Sequence, residues 1–159
     1  MTQGNLNGET AEKVVINAFE MYGESKEELI PILSKVNKDL GYLPVDVLQT
    51  ISRRLHIPQS QLYSVATFYK MLFTRKTGRH VVKFCESAPC HVAGGRMLWI
   101  ALQDELKLQP GETSADGRWT LVTVSCLGLC SAGPVMVVDE DVYGNLTPSQ
   151  LSAILAKYE

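Results

Sequence analysis

Apolar residues recur at helical spacing through the first half of the chain, and in short alternating or continuous runs through the second. The first helical stretch carries Val14, Val15, Ala18 and Phe19, with Thr10 as its cap and Gly23 as its end. Ser25 and Glu28 have the spacing of a capping box, in which hydroxyl and carboxylate satisfy backbone N–H groups reciprocally. The helix they announce places Leu29, Ile30, Leu33, Val36 and Leu40 on one face. It stops at Gly41, because glycine accepts the left-handed conformation that ends many helices. Pro44 suits the first turn of a third helix, where its missing N–H is no loss. Val45, Val47, Leu48 and Ile51 are the apolar positions of that helix. Pro58 starts a fourth, ending near Phe68 and Tyr69. These four short helices predict a small bundle.

The period then changes. His80 to Phe84 is a β-rich run. A helical stretch follows Cys90, with Met97, Leu98, Ile100, Ala101, Leu102 and Leu106 as its apolar residues. Pro110, Gly111 and Asp116-Gly117 mark a loop and a turn. Trp119 to Ser125 and Val135 to Val138 read as strands, and Val142 to Leu146 as another beyond the acidic turn 139–141. Thr147 and Gln150 form a second capping box, with Pro148 at the first helical position, and the last helix ends near Tyr158. Two strands joined through a helix are parallel by a right-handed crossover. The last two strands form an antiparallel hairpin. The predicted class is α+β: a small N-terminal helical bundle, then a thioredoxin-like mixed four-stranded sheet with flanking helices. The junction near Arg75–Arg79 separates a helical domain, 1–76, from a sheet domain, 77–159.

Composition adds exclusions. The net charge of −2 offers no basic stripe for nucleic acid. No apolar run approaches the roughly 20 residues that span a bilayer. Residues 1–10 are polar and lack the basic start and apolar core of a signal peptide, so the expected location is cytoplasmic. Residues 1–79 hold ten basic and eight acidic side chains, and residues 80–159 hold five and nine. All four cysteines lie in the acidic half.

Those cysteines, Cys85, Cys90, Cys126 and Cys130, form C-x4-C and C-x3-C pairs separated by 35 residues. In a reducing compartment, four cysteines are metal ligands or redox groups more often than disulfides. Both pairs fall at strand ends, and parallel neighbours bring those ends to one sheet edge, where open α/β sheets hold ligands. The pairs can therefore converge. A [2Fe–2S] cluster and structural zinc both remain open. A dithiol oxidoreductase lacks its C-x-x-C. Gly128 permits loop torsions that aim N–H groups at sulfur. Leu127 and Leu129 are placed to shield the centre; Ser87 and Ser125 are placed to hydrogen-bond sulfur, although as turn and strand-end residues they need no such role. Gly94-Gly95 costs a helix about 1 kcal/mol per glycine relative to alanine, which a close backbone approach explains. His91 is read as a helix-start or interface residue, not a ligand. Trp99 is read as core, Met71-Leu72-Phe73 as core or partner contact, and 139–141 as a solvated turn.

At these residues the chain resembles the small [2Fe–2S] subunit of the NADH-oxidising module of respiratory complex I, the 24-kDa-type or E subunit. The resemblance lies in C-E-S-A-P-C-H-V-A-G-G (Cys85 to Gly95), C-L-G-L-C-S-A-G-P (Cys126 to Pro134), V-Y-G-N-L-T-P (Val142 to Pro148) and L-Q-P-G-E-T-S-A-D-G-R-W-T-L (Leu108 to Leu121). In the helical half G-Y-L-P (Gly41 to Pro44) and V-A-T-F-Y (Val65 to Tyr69) fit as well. Gly133-Pro134 stands where many members have Ala-Pro. The resemblance implies one [2Fe–2S] cluster on Cys85, Cys90, Cys126 and Cys130. It implies single-electron exchange with FMN on a larger iron–sulfur partner subunit that binds FMN and NAD(H), with further iron–sulfur subunits beyond. No acid–base catalyst is implied in this chain, and its place is the cytoplasm or the cytoplasmic face of a membrane complex. The same family serves NAD-reducing and electron-bifurcating hydrogenases and NAD-dependent formate dehydrogenases. A zinc-stabilised interaction module and a free-standing electron shuttle are the readings from other classes.

Overall fold

The structure is a computed structural model that describes residues 8–158. The reading of the polar N-terminus falls largely on residues 1–7, outside the described residues. The contacts divide the chain between Lys76 and Thr77.

The first unit holds α1 (Gly8–Tyr22), α2 (Leu29–Leu40), α3 (Val45–Leu55) and α4 (Gln59–Phe68). α1 starts before Thr10, which therefore lies inside the helix rather than capping it. Gly23, at φ 86°, ends it by donating to the Phe19 carbonyl at 2.8 Å. The Ser25–Glu28 capping box does not form. The Ser25 hydroxyl donates to the nearer carboxylate of Glu27, and Lys26–Glu28 make a 3-10 turn ahead of α2. On α2, Ile32 is fully buried with Leu33 and Val36, while Ile30 is only half-buried. The buried stripe thus includes a position that the expected face omitted. Gly41 ends α2 in the left-handed region and donates to Asn37 O at 2.8 Å. Pro44 caps α3, whose first residue, Val45, is 64% exposed and outside the core that Val47, Leu48 and Ile51 join. The Met71-Leu72-Phe73 run divides: Leu72 is buried, Met71 is exposed, and the Asn37 side chain accepts from the Phe73 N–H at 2.8 Å.

The second unit holds β1 (His80–Cys85), α5 (Ala88–Cys90), α6 (Arg96–Leu106), β2 (Trp119–Val124), β3 (Met136–Val138), β4 (Asp141–Tyr143) and α7 (Leu151–Leu155). The sheet order is β2-β1-β3-β4. β1 and β2 run parallel, from His80 opposite Trp119 to Cys85 opposite Val124. β3 is antiparallel to both β1 and β4. This is the mixed four-stranded sheet that the strand order predicts. Val82, Leu121, Met136 and Val138 of the sheet pack with Leu98 and Leu102 of α6 and Leu151 of α7, all nearly inaccessible to water. Burying a large aliphatic side chain of this kind stabilises the fold by about 1.5–3 kcal/mol. Trp99 is half-buried, its ring 4.9 Å from that of Phe84. Met97 and Ile100 face outward.

Two loops differ from the expectation. β4 ends at Tyr143 instead of reaching Leu146, because Asn145 turns left-handed (φ 51°) and its N–H donates to Ala132 O at 2.6 Å. The turn at 139–141 is not simply solvated. The Asp139 carboxylate accepts from the Val81 N–H at 2.8 Å and lies 2.7 Å from His80 Nδ1. The Thr147–Gln150 capping box does form, with Pro148 at the first position. Among the described residues no helix is long and apolar enough to cross a membrane.

Candidate metal centre

Strand pairing assembles this site. Cys85 is the last residue of β1 and sits opposite Val124, the last of β2. The Glu86 N–H extends the parallel ladder by donating to Val124 O at 3.0 Å. Cys126 follows two residues later, at the same sheet edge. Cys90 closes α5, which begins beyond Ser87, and Cys130 opens the 3-10 turn Cys130–Ala132. All four thiols are free.

The thiols stand as two interacting pairs. Cys85 and Cys90 act on one another's acidity, and so do Cys126 and Cys130. Between the pairs, Cys130 interacts through space with Cys85 and Cys90. Cys85 and Cys90 are buried with Val135, and Leu127 and Ala132 pack over them. Cys126 and Cys130 are exposed. Leu127 packs against the inner pair, whereas Leu129 is 41% exposed.

The thiols also differ in acidity. The Gly128 N–H donates to Cys126 Sγ at 3.3 Å, and this bond, with help from Cys130 and Ser87, holds the Cys126 thiol below the usual range. A donor aimed at sulfur favours the thiolate, the form that binds metal. Burial, followed by the bond with Cys85, pushes Cys90 upward. Cys130 is raised chiefly by its bond with Cys126: sharing one proton favours a charge on one sulfur of the pair over a charge on both.

Glycines allow the close approaches. A Cβ on Gly95 would lie 2.6 Å from the Cys90 carbonyl oxygen, while Gly94 adopts φ 105°. These two facts account for the Gly-Gly pair. A Cβ on Gly133 would lie 3.4 Å from Cys90 Sγ. Gly128, at φ 78°, has open space around it, so its role is conformational.

The donor set fits a two-iron cluster. Contact within each pair and only longer-range interaction between pairs suits two iron ions with two thiolates each. One tetrahedral ion would draw all four sulfurs together. His91 is exposed, its backbone N–H donating to Ser87 O at 2.9 Å. It lines a cleft of about 300 Å³ beside Cys85, together with Arg96 and Trp99. Sequence reasoning missed Ala132, Val135 and Asn145. Val135 O accepts the Cys85 N–H at 3.2 Å, and Ala132 O accepts from Asn145. Backbone acceptors leave no signature in residue type. Only the spacing of the V-Y-G-N motif could have hinted at Asn145.

Comparison with known proteins agrees with this layout. The model of the thioredoxin-like [2Fe–2S] ferredoxin family matches residues 15–159. The E subunit of the NADH-quinone oxidoreductase of Escherichia coli (strain K12) is 38% identical over 138 residues, covering 87% of this chain and 83% of that protein. The NADP-reducing hydrogenase subunit HndA of Solidesulfovibrio fructosivorans is 33% identical over 144 residues, covering 91% of this chain and 84% of that protein. Among solved structures, an NAD+-reducing [NiFe]-hydrogenase in the air-oxidized state superposes with a TM-score of 0.69 at 23% identity. That match covers 82% of this chain and 22% of the other, and shows a shared fold.

Proposed function

The chain belongs to the thioredoxin-like [2Fe–2S] ferredoxin family, and we propose that it is the electron-transfer subunit of an NADH-oxidising module of the NADH-quinone oxidoreductase type. Cys85, Cys90, Cys126 and Cys130 hold one [2Fe–2S] cluster. The observation that carries this reading is the gathering of four free thiols as two pairs at one sheet edge. When bound, such a cluster takes up and releases one electron at a time, at a potential set by charge, hydrogen bonds to sulfur and solvent exposure.

The chain's own residues hold, shield and tune. Burial of Cys85 and Cys90 under Leu127 excludes water from the inner side. The exposed Cys126 and Cys130 leave the outer side open to a partner. The Gly128 N–H stabilises negative charge on Cys126. The partner is a larger subunit that binds FMN and NAD(H), beside further iron–sulfur subunits, in the cytoplasm or on the cytoplasmic face of a membrane complex. The 33% identity with the hydrogenase subunit, over an alignment that covers 91% of the chain, supports a second parent complex, an NAD(P)-linked hydrogenase. Anaerobic co-expression with the neighbouring flavin subunit tests the reading. A complex is expected that holds two irons per copy of this chain in addition to the flavin subunit's own iron, and this chain purified anaerobically by itself is expected to be brown with two irons per copy. A colourless zinc protein that elutes alone is the outcome that sinks it.

A further inference from the structure

The V-Y-G-N-L-T-P segment, which begins twelve residues beyond the last cysteine, takes no part in ligation, yet it meets the ligand loop directly. We propose that Gly144 and Asn145 are positioning residues that set the Cys130 ligand loop from outside, a proposal that rests on the reading of Cys130 as a ligand.

Three contacts carry it. The Asn145 N–H donates to Ala132 O at 2.6 Å, and the Leu146 N–H donates to Pro134 O at 3.3 Å. A Cβ on Gly144 would lie 2.9 Å from both the Cβ and the carbonyl oxygen of Ala132. Ala132 closes the short turn that Cys130 opens. On its other side the turn meets Cys90: a Cβ on Gly133 would reach 3.4 Å from Cys90 Sγ. Residues 130–133 are thus held between the buried ligand Cys90 and the exit of β4.

The backing is itself anchored. Tyr143, next to Gly144, pairs with Met136 in the sheet, and its hydroxyl lies 2.8 Å from that of Tyr158. Gly144 does not occupy the left-handed region, so alanine is allowed there by backbone conformation. What forbids a side chain is Ala132. Asn145 does occupy that region (φ 51°), which asparagine tolerates better than most residues, and its N–H donates to the loop. Any added bulk at Gly144 must move Ala132, and with it the turn that carries Cys130. The potential and magnetic signature of an iron–sulfur centre follow ligand geometry, sulfur hydrogen bonds and solvent exposure, so both report such a movement.

The experiment uses the full chain purified anaerobically with its cluster. Gly144→Ala should shift the g values of the reduced protein and its midpoint potential, and should speed iron loss to a chelator several-fold. Gly144→Ala with Ala132→Gly should return part of the way, since one of the two close contacts is gone. Val142→Ala, at an exposed site on the same hairpin, should leave the spectrum alone. A Gly144→Ala protein with wild-type g values and potential overturns the proposal, even if it melts lower. So does a Val142→Ala protein with the same shifts. If Gly144→Ala does not fold, Asn145→Ala strains the left-handed residue whose N–H holds Ala132 O, and an unchanged spectrum and iron-release rate there overturn the proposal. Cys130→Ser separates the two readings. A wild-type spectrum in that variant overturns the ligand assignment itself. Loss of the cluster there, with an unmoved Gly144→Ala spectrum, overturns the positioning role alone.

Discussion

The Gly128 backbone N–H donates to Cys126 Sγ at 3.3 Å, from a residue held at φ 78°. The positive φ of Gly128 turns the chain onward from that N–H towards Cys130, so a residue that resists it strains the loop between the two cysteines. Alanine at Gly128 meets no steric obstacle, since nothing lies within 4 Å of where its Cβ would stand. It does pay the left-handed penalty of about 1–2 kcal/mol. Gly128→Ala should therefore relax the loop, weaken the bond to sulfur and lower the cluster's midpoint potential. Gly128→Asn should do less, because asparagine tolerates that conformation. A redox titration followed by EPR checks both, and a potential unmoved by alanine would contradict the role of this bond.

Cys126→Ser replaces the thiol that its surroundings most favour as thiolate. The variant should lose most of its visible absorption and bound iron. Iron analysis and the visible spectrum of anaerobically purified protein decide the matter. Full iron content with a wild-type spectrum would remove Cys126 from the ligand set.

The helical part, 1–76, and the sheet part, 77–159, are proposed to unfold as separate domains. Leu33 and Leu121 are fully buried, one in each core. Truncation of either to alanine should cost about 2–5 kcal/mol in its own domain. Calorimetry should show Leu33→Ala lowering one transition and Leu121→Ala the other. A single transition moved equally by both would argue for one cooperative unit.

Tyr158 responds at alkaline pH. Burial, with the 2.6 Å hydrogen bond to Asp141 and the contact with Tyr143, pushes its phenol well above the usual value of about 10. The folded state therefore holds this proton more tightly than the unfolded chain. The resulting stability is fully present below about pH 10 and is lost as pH rises through the folded value. Tyr158 should fail to ionise until the fold is lost, read from tyrosinate absorbance. Tyr158→Phe should abolish that delayed step.

Much of the fold was legible because local chemistry and tertiary packing agree. Gly41 and Pro44 bound helices where the sequence places them, and the Thr147–Gln150 box closes as its spacing predicts. The misses fall where one local partner outcompetes another. Ser25 gives its hydroxyl to Glu27 and not to a helix end. Asp139 looks like a solvated turn residue until the strand beside it supplies the Val81 N–H and His80. Of the two leucines beside Gly128, only Leu127 packs over the inner cysteines. Residue type is the same for both; orientation decides.

Residue types and their spacing were enough to set the candidate ligands, the order of strands and helices, and the parallel pairing that carries both cysteine pairs to one edge. Those follow from local periodicity and from the handedness of the chain. The division of the thiols into a buried pair and an exposed pair came from packing in three dimensions. So did the approach of Gly144 and Asn145 to Ala132. These are properties of surfaces that meet from distant parts of the chain, and backbone carbonyls and missing Cβ atoms carry no label in a sequence.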